Sequence, residues 1–308
     1  MISVVIPLYN KSNYISRAIN SVLNQTMAVH EIIVIDDGST DNSAEIVSAS
    51  FPMVKLISQS NSGVSAARNT GILHSKGEYI AFLDADDYWT EHFINNINFL
   101  IKRYPNAQAF CTNYAFKEKE CIYPAKLKCS NEITSILDDY FDLCCNADLP
   151  ITASSVCINK SLLEEEIGGF PQGVAMGEDQ IVWAELACRT KIAFHSHISV
   201  YYDRDVQDSA CKTNHIYSPA PQVYVYKKLL AENKVPRELV NSLIHLIHLT
   251  VLSCVKNNLL VGNRKKALTI LLSKGYLKFD KYRLMGFLLL FFPRFFVAKI
   301  FSVSRNDK

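Results

Sequence analysis

Three carboxylates fall within four residues at Asp84-Ala85-Asp86-Asp87, directly after the apolar run Tyr79-Ile80-Ala81-Phe82-Leu83. Carboxylates packed this closely repel one another, and each costs desolvation energy at the end of a core strand. A divalent cation relieves both effects. Hard cations such as Mg²⁺ and Mn²⁺ take oxygen ligands, and Mg²⁺ is characteristically shared between one or two carboxylates and substrate phosphates. The pattern therefore predicts a metal–diphosphate site at the mouth of an α/β sheet. No GxGxxG follows the first apolar run, and no GxxxxGK[ST] occurs anywhere. A dinucleotide dehydrogenase or a P-loop enzyme requires one of these phosphate loops. A pyrophosphate would here be held by a metal and cationic side chains.

Positioning such a cluster takes strands. Ile2 to Leu8 is a nearly continuous apolar run, as in a strand buried on both faces. Glu31 to Ile35, Val54 to Ser58, Glu78 to Leu83 and Ala107 to Thr112 read as further strands. Helical stretches lie between them: Ile15, Ile19, Val22 and Leu23 share one face, with Ser12 as the expected cap. Ser43 to Ser50, Ser65 to His74, and the face marked by Phe93, Ile97, Leu100 and Ile101 follow. Alternation of this kind implies parallel βαβ units. The expected fold is an α/β domain with a mostly parallel central sheet flanked by helices, over residues 1–215. A helical C-terminal region follows over 216–308. Ligands bind such sheets at the carboxyl ends of the strands. Tyr9-Asn10, Asp36-Asp37, Asn61-Ser62 and Asp84 to Asp87 all lie at those ends, and their convergence is a stronger signal than any one of them.

Six segments, in this order and at this spacing, resemble glycosyltransferase family 2. They are Val5-Ile6-Pro7-Leu8-Tyr9-Asn10, Ser21 to Thr26, Val34 to Asp41, Asn61 to Asn69, Gly77 to Asp87, and Gly177-Glu178-Asp179. The resemblance covers roughly residues 1 to 210. It implies a GT-A fold and a metal-dependent, hexosyltransferase-type enzyme that inverts the anomeric centre of a nucleoside-diphosphate sugar, with Mn²⁺ or Mg²⁺ as cofactor and UDP as the expected nucleotide. Carried over position by position, Pro7, Tyr9, Asn10 and Asp36 line the nucleotide, Tyr9 stacking on the base. Asp37 accepts a hydrogen bond from the base, and Arg68 approaches uridine or diphosphate. Asp84 faces ribose, Asp86 the metal. Asp179 is the catalytic base and Glu178 supports it near the acceptor. Family members often carry a histidine near the end of this domain that reaches the metal. The matching run here is Tyr202-Asp203-Arg204-Asp205, and Asp205 is the expected replacement ligand, with a solvated acidic loop as the equal alternative.

These residue types suit the reaction. The acceptor hydroxyl attacks opposite the leaving diphosphate, so a carboxylate must take its proton on one side while a cation meets the developing charge on the other. Taken singly, several segments have plainer readings. Asp36-Asp37-Gly38-Ser39 alone is an ordinary turn. Arg68 alone is a surface helix residue. Glu178-Asp179 alone is a pair of first-turn acids before Ile181-Val182-Trp183. His195 and His197 alternate on a strand and read as structural. Ser154 and Ser155 are assigned to an acceptor pocket.

The 308 residues carry a net charge of +2 that hides an asymmetry, since Arg264 to Lys308 holds eleven Lys or Arg against two Asp. Within it, Leu284 to Val303 is rich in Leu, Phe and Ile. About 20 residues suffice to span a bilayer, but Arg294 and Pro293 fall mid-segment. An interfacial helix or helix pair, phenylalanines in the acyl boundary and cations on anionic headgroups, fits better; a buried C-terminal helix is the alternative. Nine cysteines without a CxxC pair read as free thiols in a reducing cytoplasm. The N-terminus opens into a strand without a signal-peptide pattern. The whole reads as a cytoplasmic enzyme, peripheral on the cytoplasmic face of the inner membrane. Its expected acceptor is a polyprenyl-diphosphate-linked glycan, as for O-antigen or capsule, and no nucleic-acid partner is expected. A nucleotide-sugar-binding protein without turnover and a membrane assembly protein are the rival classes.

Overall fold

The computed structural model describes residues 1–130, 132–174, 176–206, 220–273 and 281–299. They form two compact units. One takes in residues 1–140 and 148–206. The other takes in 141–147 and the described residues from 220 onward, so a segment from the middle of the chain joins the C-terminal helices.

The first unit is built on β1 (Ile2–Leu8), all seven residues of which are buried. It pairs in parallel with β2 (Glu31–Asp36) on one side and β4 (Tyr79–Phe82) on the other, and β2 pairs in parallel with β3 (Lys55–Ser58). The connections are α1 (Ile15–Leu23), α2 (Ser43–Ser50) and α3 (Val64–His74). Ile32 and Val34 of β2 join the α1 side of the core, while Ile33 and Ile35 meet Ala67 of α3 on the other face. That two-sided burial is why these strands read as continuous apolar runs. The α3–β1 approach is close enough that a Cβ on Gly71 would lie 2.2 Å from Val5 Cγ1.

Beyond β4 the sheet becomes mixed. The order is β3-β2-β1-β4-β9-β6-β10-β5. Here β5 is Tyr88–Trp89, β6 Ala107–Glu118, β9 Val156–Asn159 and β10 Lys191–Asp203. β10 runs parallel to β6, but β9 is antiparallel to both β4 and β6, and β5 is antiparallel to β10. The short β7 (Cys121–Pro124) and β8 (Thr134–Ile136) add antiparallel pairs on β6 and β10. The expectation of a mostly parallel sheet thus holds for β1 to β4, whereas the second half interleaves antiparallel strands. α4 (Phe93–Arg103) lies between β5 and β6, and α6 (Glu178–Arg189) precedes β10. Ser12 does not cap α1: no side chain caps that helix, and the Ser12 amide donates instead to Asp41 Oδ2 at 3.1 Å.

The second unit contains α5 (Tyr140–Asn146, from Phe141), α7 (Pro221–Ala231), α8 (Val240–Leu260), α9 (Arg264–Leu272) and α10 (Lys281–Leu289). The stretch Arg237–Leu260, which contains α8, is long and apolar enough to cross a membrane by length and composition. Its Leu243, Ile247, Val251, Val255 and Leu259 nevertheless form the core of this unit. Tyr282 Oη meets His245 Nε2 at 2.6 Å across α10 and α8. After α10 the chain turns through Pro293 and resumes a helical course over 294–299. Leu284, Leu288, Phe291, Phe295 and Phe296 are exposed, Phe291 by 83%.

Candidate active site

The carboxyl ends of β1, β2 and β4 form one edge. At the end of β1, buried Pro7 leads into Tyr9, whose ring is exposed. Asn10 takes a positive φ of 51°. Its Oδ1 accepts the Thr40 amide at 2.7 Å, and its own amide donates to Ser39 Oγ, stitching the β1 and β2 loops together. Asp36 is buried and accepts the Ser39 amide at 3.1 Å. Asp37 is also buried. Its Oδ1 accepts from Gln59 Nε2 at 2.7 Å and from the Ser62 amide at 2.9 Å, and its Oδ2 accepts from the Gly63 amide at 2.8 Å. Asp37 thus ties the 59–63 loop to the start of α3. A carboxylate offers about four lone-pair sites, so this triple engagement leaves acceptor capacity on Oδ2.

The acidic segment divides into three roles set by burial. Asp87 is fully inside, accepting from Ser154 Oγ at 2.5 Å and from the Asp203 amide at 3.1 Å. Burial, then Asp86 and Asp84, push its pKa well up. Asp84 and Asp86 keep 30% and 21% of their side chains exposed and each holds one cation. Arg68 Nη2 donates to Asp84 Oδ1 at 2.8 Å, and Lys11 Nζ lies 2.9 Å from Asp86 Oδ2. Burial and Asp84 raise the Asp86 pKa against the opposing pull of Lys11. Arg17 Nη2 donates to the Asp86 carbonyl at 2.6 Å, pairs through Nη1 with Asp203 at 2.8 Å, and lies over the Tyr88 ring.

Arg68 is 3% exposed and also donates from Nη1 to Glu178 Oε1 at 2.9 Å. Burial opposes its charge, but Asp84 and Glu178 outweigh that and raise its pKa. The guanidinium bridges the β4 end to the first turn of α6 and rests over the Phe170 ring. Gly177, at φ 84°, starts that helix and sets Glu178 and Asp179 in its first turn. Asp179 accepts the Gln180 amide at 2.7 Å. Its pKa is pushed up to about 6 by burial and by Glu178, with Arg68 opposing.

Asp84, Arg68, Glu178 and Asp179 are therefore brought together from three distant segments. Asp205 is placed on the β6–β7 hairpin, accepting the Lys119 amide and lying near Lys117. Its neighbour Asp203 meets the acidic segment instead. Ser154 and Ser155 are fully buried. Rather than lining a pocket, Ser154 braces the acidic turn: its Oγ also accepts the Asp84 amide at 3.1 Å, and its carbonyl accepts Trp89 Nε1 at 2.7 Å. Lys11, Arg17 and Asp203 were not singled out by the sequence reading. The only signal for Lys11 was its place directly after Tyr9-Asn10 in a loop at a strand's carboxyl end. His195 is buried in β10, with its pKa lowered to about 4 by burial and by His197.

Among the described residues no three His, Cys, Asp or Glu side chains gather as a ready cage for a metal. The partly exposed carboxylates of Asp84 and Asp86 are hard oxygen donors. They fit an Mg²⁺ or Mn²⁺ ion that completes its shell with diphosphate oxygens and water rather than with protein alone.

Residues 3–146 match the family described as Glycosyl transferase family 2. An uncharacterised glycosyltransferase of Rickettsia bellii is 30% identical over 197 residues, 61% of this chain and 26% of its own length. Glycosyltransferase GlyA of Streptococcus pneumoniae is 37% identical over 125 residues, 40% of this chain and 18% of its own. Chondroitin synthase of Pasteurella multocida is 32% identical over 145 residues, 46% of this chain and 14% of its own. The alignments thus span less than a third of these relatives. The crystal structure of S. aureus TarS 1-349 in complex with UDP-GlcNAc superposes with a TM-score of 0.62 at 18% identity, covering 87% of this chain and 88% of that one. At that identity the likeness concerns the fold.

Proposed function

We propose that this chain, which belongs to glycosyl transferase family 2 through residues 3–146, moves a sugar from a uridine diphosphate donor to a hydroxyl of a growing surface glycan, inverting the anomeric centre. The observation that carries the reading is the Arg68 bridge. One buried guanidinium holds Asp84, at the acidic strand end, and Glu178, beside Asp179, in a single site. An inverting displacement needs that juxtaposition, because the group that removes the proton and the group that meets the leaving charge must face one sugar from two sides.

The exposed Tyr9 ring offers a stacking face for the base, with Pro7, Asn10 and Asp36 shaping the floor and Asp37 Oδ2 free to accept one base N–H. Asp84 turns toward the ribose. A divalent cation held between Asp86 and the diphosphate would supply Lewis-acid stabilisation of the leaving charge. Asp179, titrating at about 6, is mostly ionised at neutral pH and takes the proton from the acceptor hydroxyl as the sugar transfers. General-base catalysis of this kind contributes roughly 10²–10⁴-fold. Glu178, fixed by Arg68, orients the turn that carries Asp179. Asp205 is kept as a ligand candidate only if it leaves Lys119. A UDP-sugar is favoured as donor because the bound TarS structure, of the same fold, holds UDP-GlcNAc.

The acceptor is proposed to be a polyprenyl-diphosphate-linked glycan, with the enzyme peripheral on the cytoplasmic face of the inner membrane. Its support is the exposed Leu and Phe side chains of 284–296 beside Arg283, Arg294 and Lys299, which suit the acyl boundary and anionic headgroups. Nucleotide release across a panel of nucleotide sugars, with membrane lipid extract as acceptor source, tests the activity. Asp179→Asn is expected to bind UDP normally and to abolish transfer. Turnover retained in that variant removes Asp179 as base. Deleting residues 284–308 is expected to move the protein from the membrane to the soluble fraction, and unchanged fractionation refutes the membrane assignment.

A further inference from the structure

The two partly exposed carboxylates of the acidic segment each hold a cation, but the two cations are held very differently. Arg68 is buried and engaged by two carboxylates at once, Asp84 and Glu178. Its place is fixed from both sides, by Asp84 and by the buried Glu178. Lys11 makes one ion pair, to Asp86 Oδ2 at 2.9 Å, with both side chains partly open to solvent. At 16% and 21% exposure the pair is mostly shielded from water, so losing it is costly unless another cation takes the place of the ammonium at Asp86. The Lys11 backbone is nonetheless fixed, its amide donating to Ser43 Oγ at 2.9 Å and its carbonyl accepting the Tyr14 and Ile15 amides. The ammonium therefore moves on a four-carbon stem about an anchored root.

We propose that Lys11 and a divalent cation are alternative occupants of the Asp86 carboxylate, and that the displaced Lys11 ammonium turns to the donor diphosphate. The proposal rests on the reading of Asp86 as the metal-binding carboxylate. A metal reaching Asp86 either takes Oδ2, which Lys11 now holds, or binds through Oδ1 with the ammonium charge beside it, and both favour departure of Lys11. The diphosphate arrives with the metal and is the nearest new anion for the three ammonium donors. Lys11 would thus make cation binding depend on nucleotide: weak to the free protein, strong when the diphosphate gives Lys11 somewhere to go.

Mn²⁺ binding to the full-length protein without nucleotide, read by electron paramagnetic resonance, and UDP binding with and without Mn²⁺, read by calorimetry, test this. Lys11→Met is expected to tighten Mn²⁺ binding without nucleotide by about tenfold and to weaken UDP binding without metal by a similar factor. Lys11→Arg, which keeps the charge, is expected to restore UDP affinity. Mn²⁺ and UDP affinities unchanged in Lys11→Met overturn the proposal, as does a Lys11→Arg protein that binds UDP no better than Lys11→Met. Asp86→Asn separates the two layers. If it loses Mn²⁺-dependent UDP binding while Lys11→Met matches the wild type, only the Lys11 role fails. If it keeps that dependence, the metal assignment of Asp86 fails and the proposal falls with it.

Discussion

Replacing Arg68 with Met keeps most of the side-chain stem and removes the charge that two carboxylates share. Glu178 is almost wholly buried, so its loss of partner takes the cost of a broken buried pair, about 3–5 kcal/mol. Asp84 is 30% exposed and regains water, so it adds little. A net loss of about 3 kcal/mol lowers the melting temperature by roughly 6–12 °C for a unit of this size. The cost belongs to the stranded Glu178 charge. The Arg68→Met, Glu178→Gln double variant is therefore expected to recover most of it, a coupling read from four melting curves. A second readout separates stability from function. Arg68 opposes the rise in the Asp179 pKa from its usual value to about 6. Without Arg68 the acidic limb of the rate–pH profile is expected to move up by about one unit, the order of shift a neighbouring opposite charge produces. A variant that melts within a degree of the wild type, or a double variant no more stable than the single, refutes the account of Arg68 as a strut between the buried Glu178 and the partly exposed Asp84. An unmoved acidic limb refutes its influence on the base.

Asp179 itself should lower stability at neutral pH. Its folded pKa, about 6, lies above the usual 3.8. The folded state therefore holds the proton more tightly, and stability falls as pH rises between those values. Asp179→Asn is expected to be more stable than the wild type at pH 8 by about 3 kcal/mol and equal to it near pH 3; equal melting at both pH values contradicts the raised pKa. Ser154→Ala leaves buried Asp87 without its hydroxyl donor and the Asp84 amide without its acceptor. It should cost about 2–3 kcal/mol and weaken UDP binding, measured by denaturation and calorimetry. Gly71→Ala drives a methyl into Val5 and should cost about 1–3 kcal/mol, with Val5→Ala in the same chain relieving part of the loss.

β1, β2 and β4 were legible because each is buried on two faces and bounded by helices, and the short edge strand β3 by its place between two helical segments. Pairing of β9 between β4 and β6 left no such trace: Val156 to Asn159 is four residues long, and its partners lie in distant segments. The same limit governed the site. Asp37, Asp84, Asp86 and Asp179 stood out by type and position in an ordered set of motifs. The partners that fix them did not, since a lysine at 11, an arginine at 17 and a serine at 154 are common residues whose meaning lies in what they touch.

By itself, the sequence determined the alternation of strand and helix, the convergence of polar segments at one sheet edge and the acidic cluster that calls for a cation. These are local properties, carried by periodicity and residue type. Only the tertiary structure decided which carboxylate is sealed by Ser154, which is shared with Arg68 and which is held by Lys11. Burial and pairing are set by segments up to 116 residues apart. Three aspartates within four residues, alike as side chains, are made different by those neighbours.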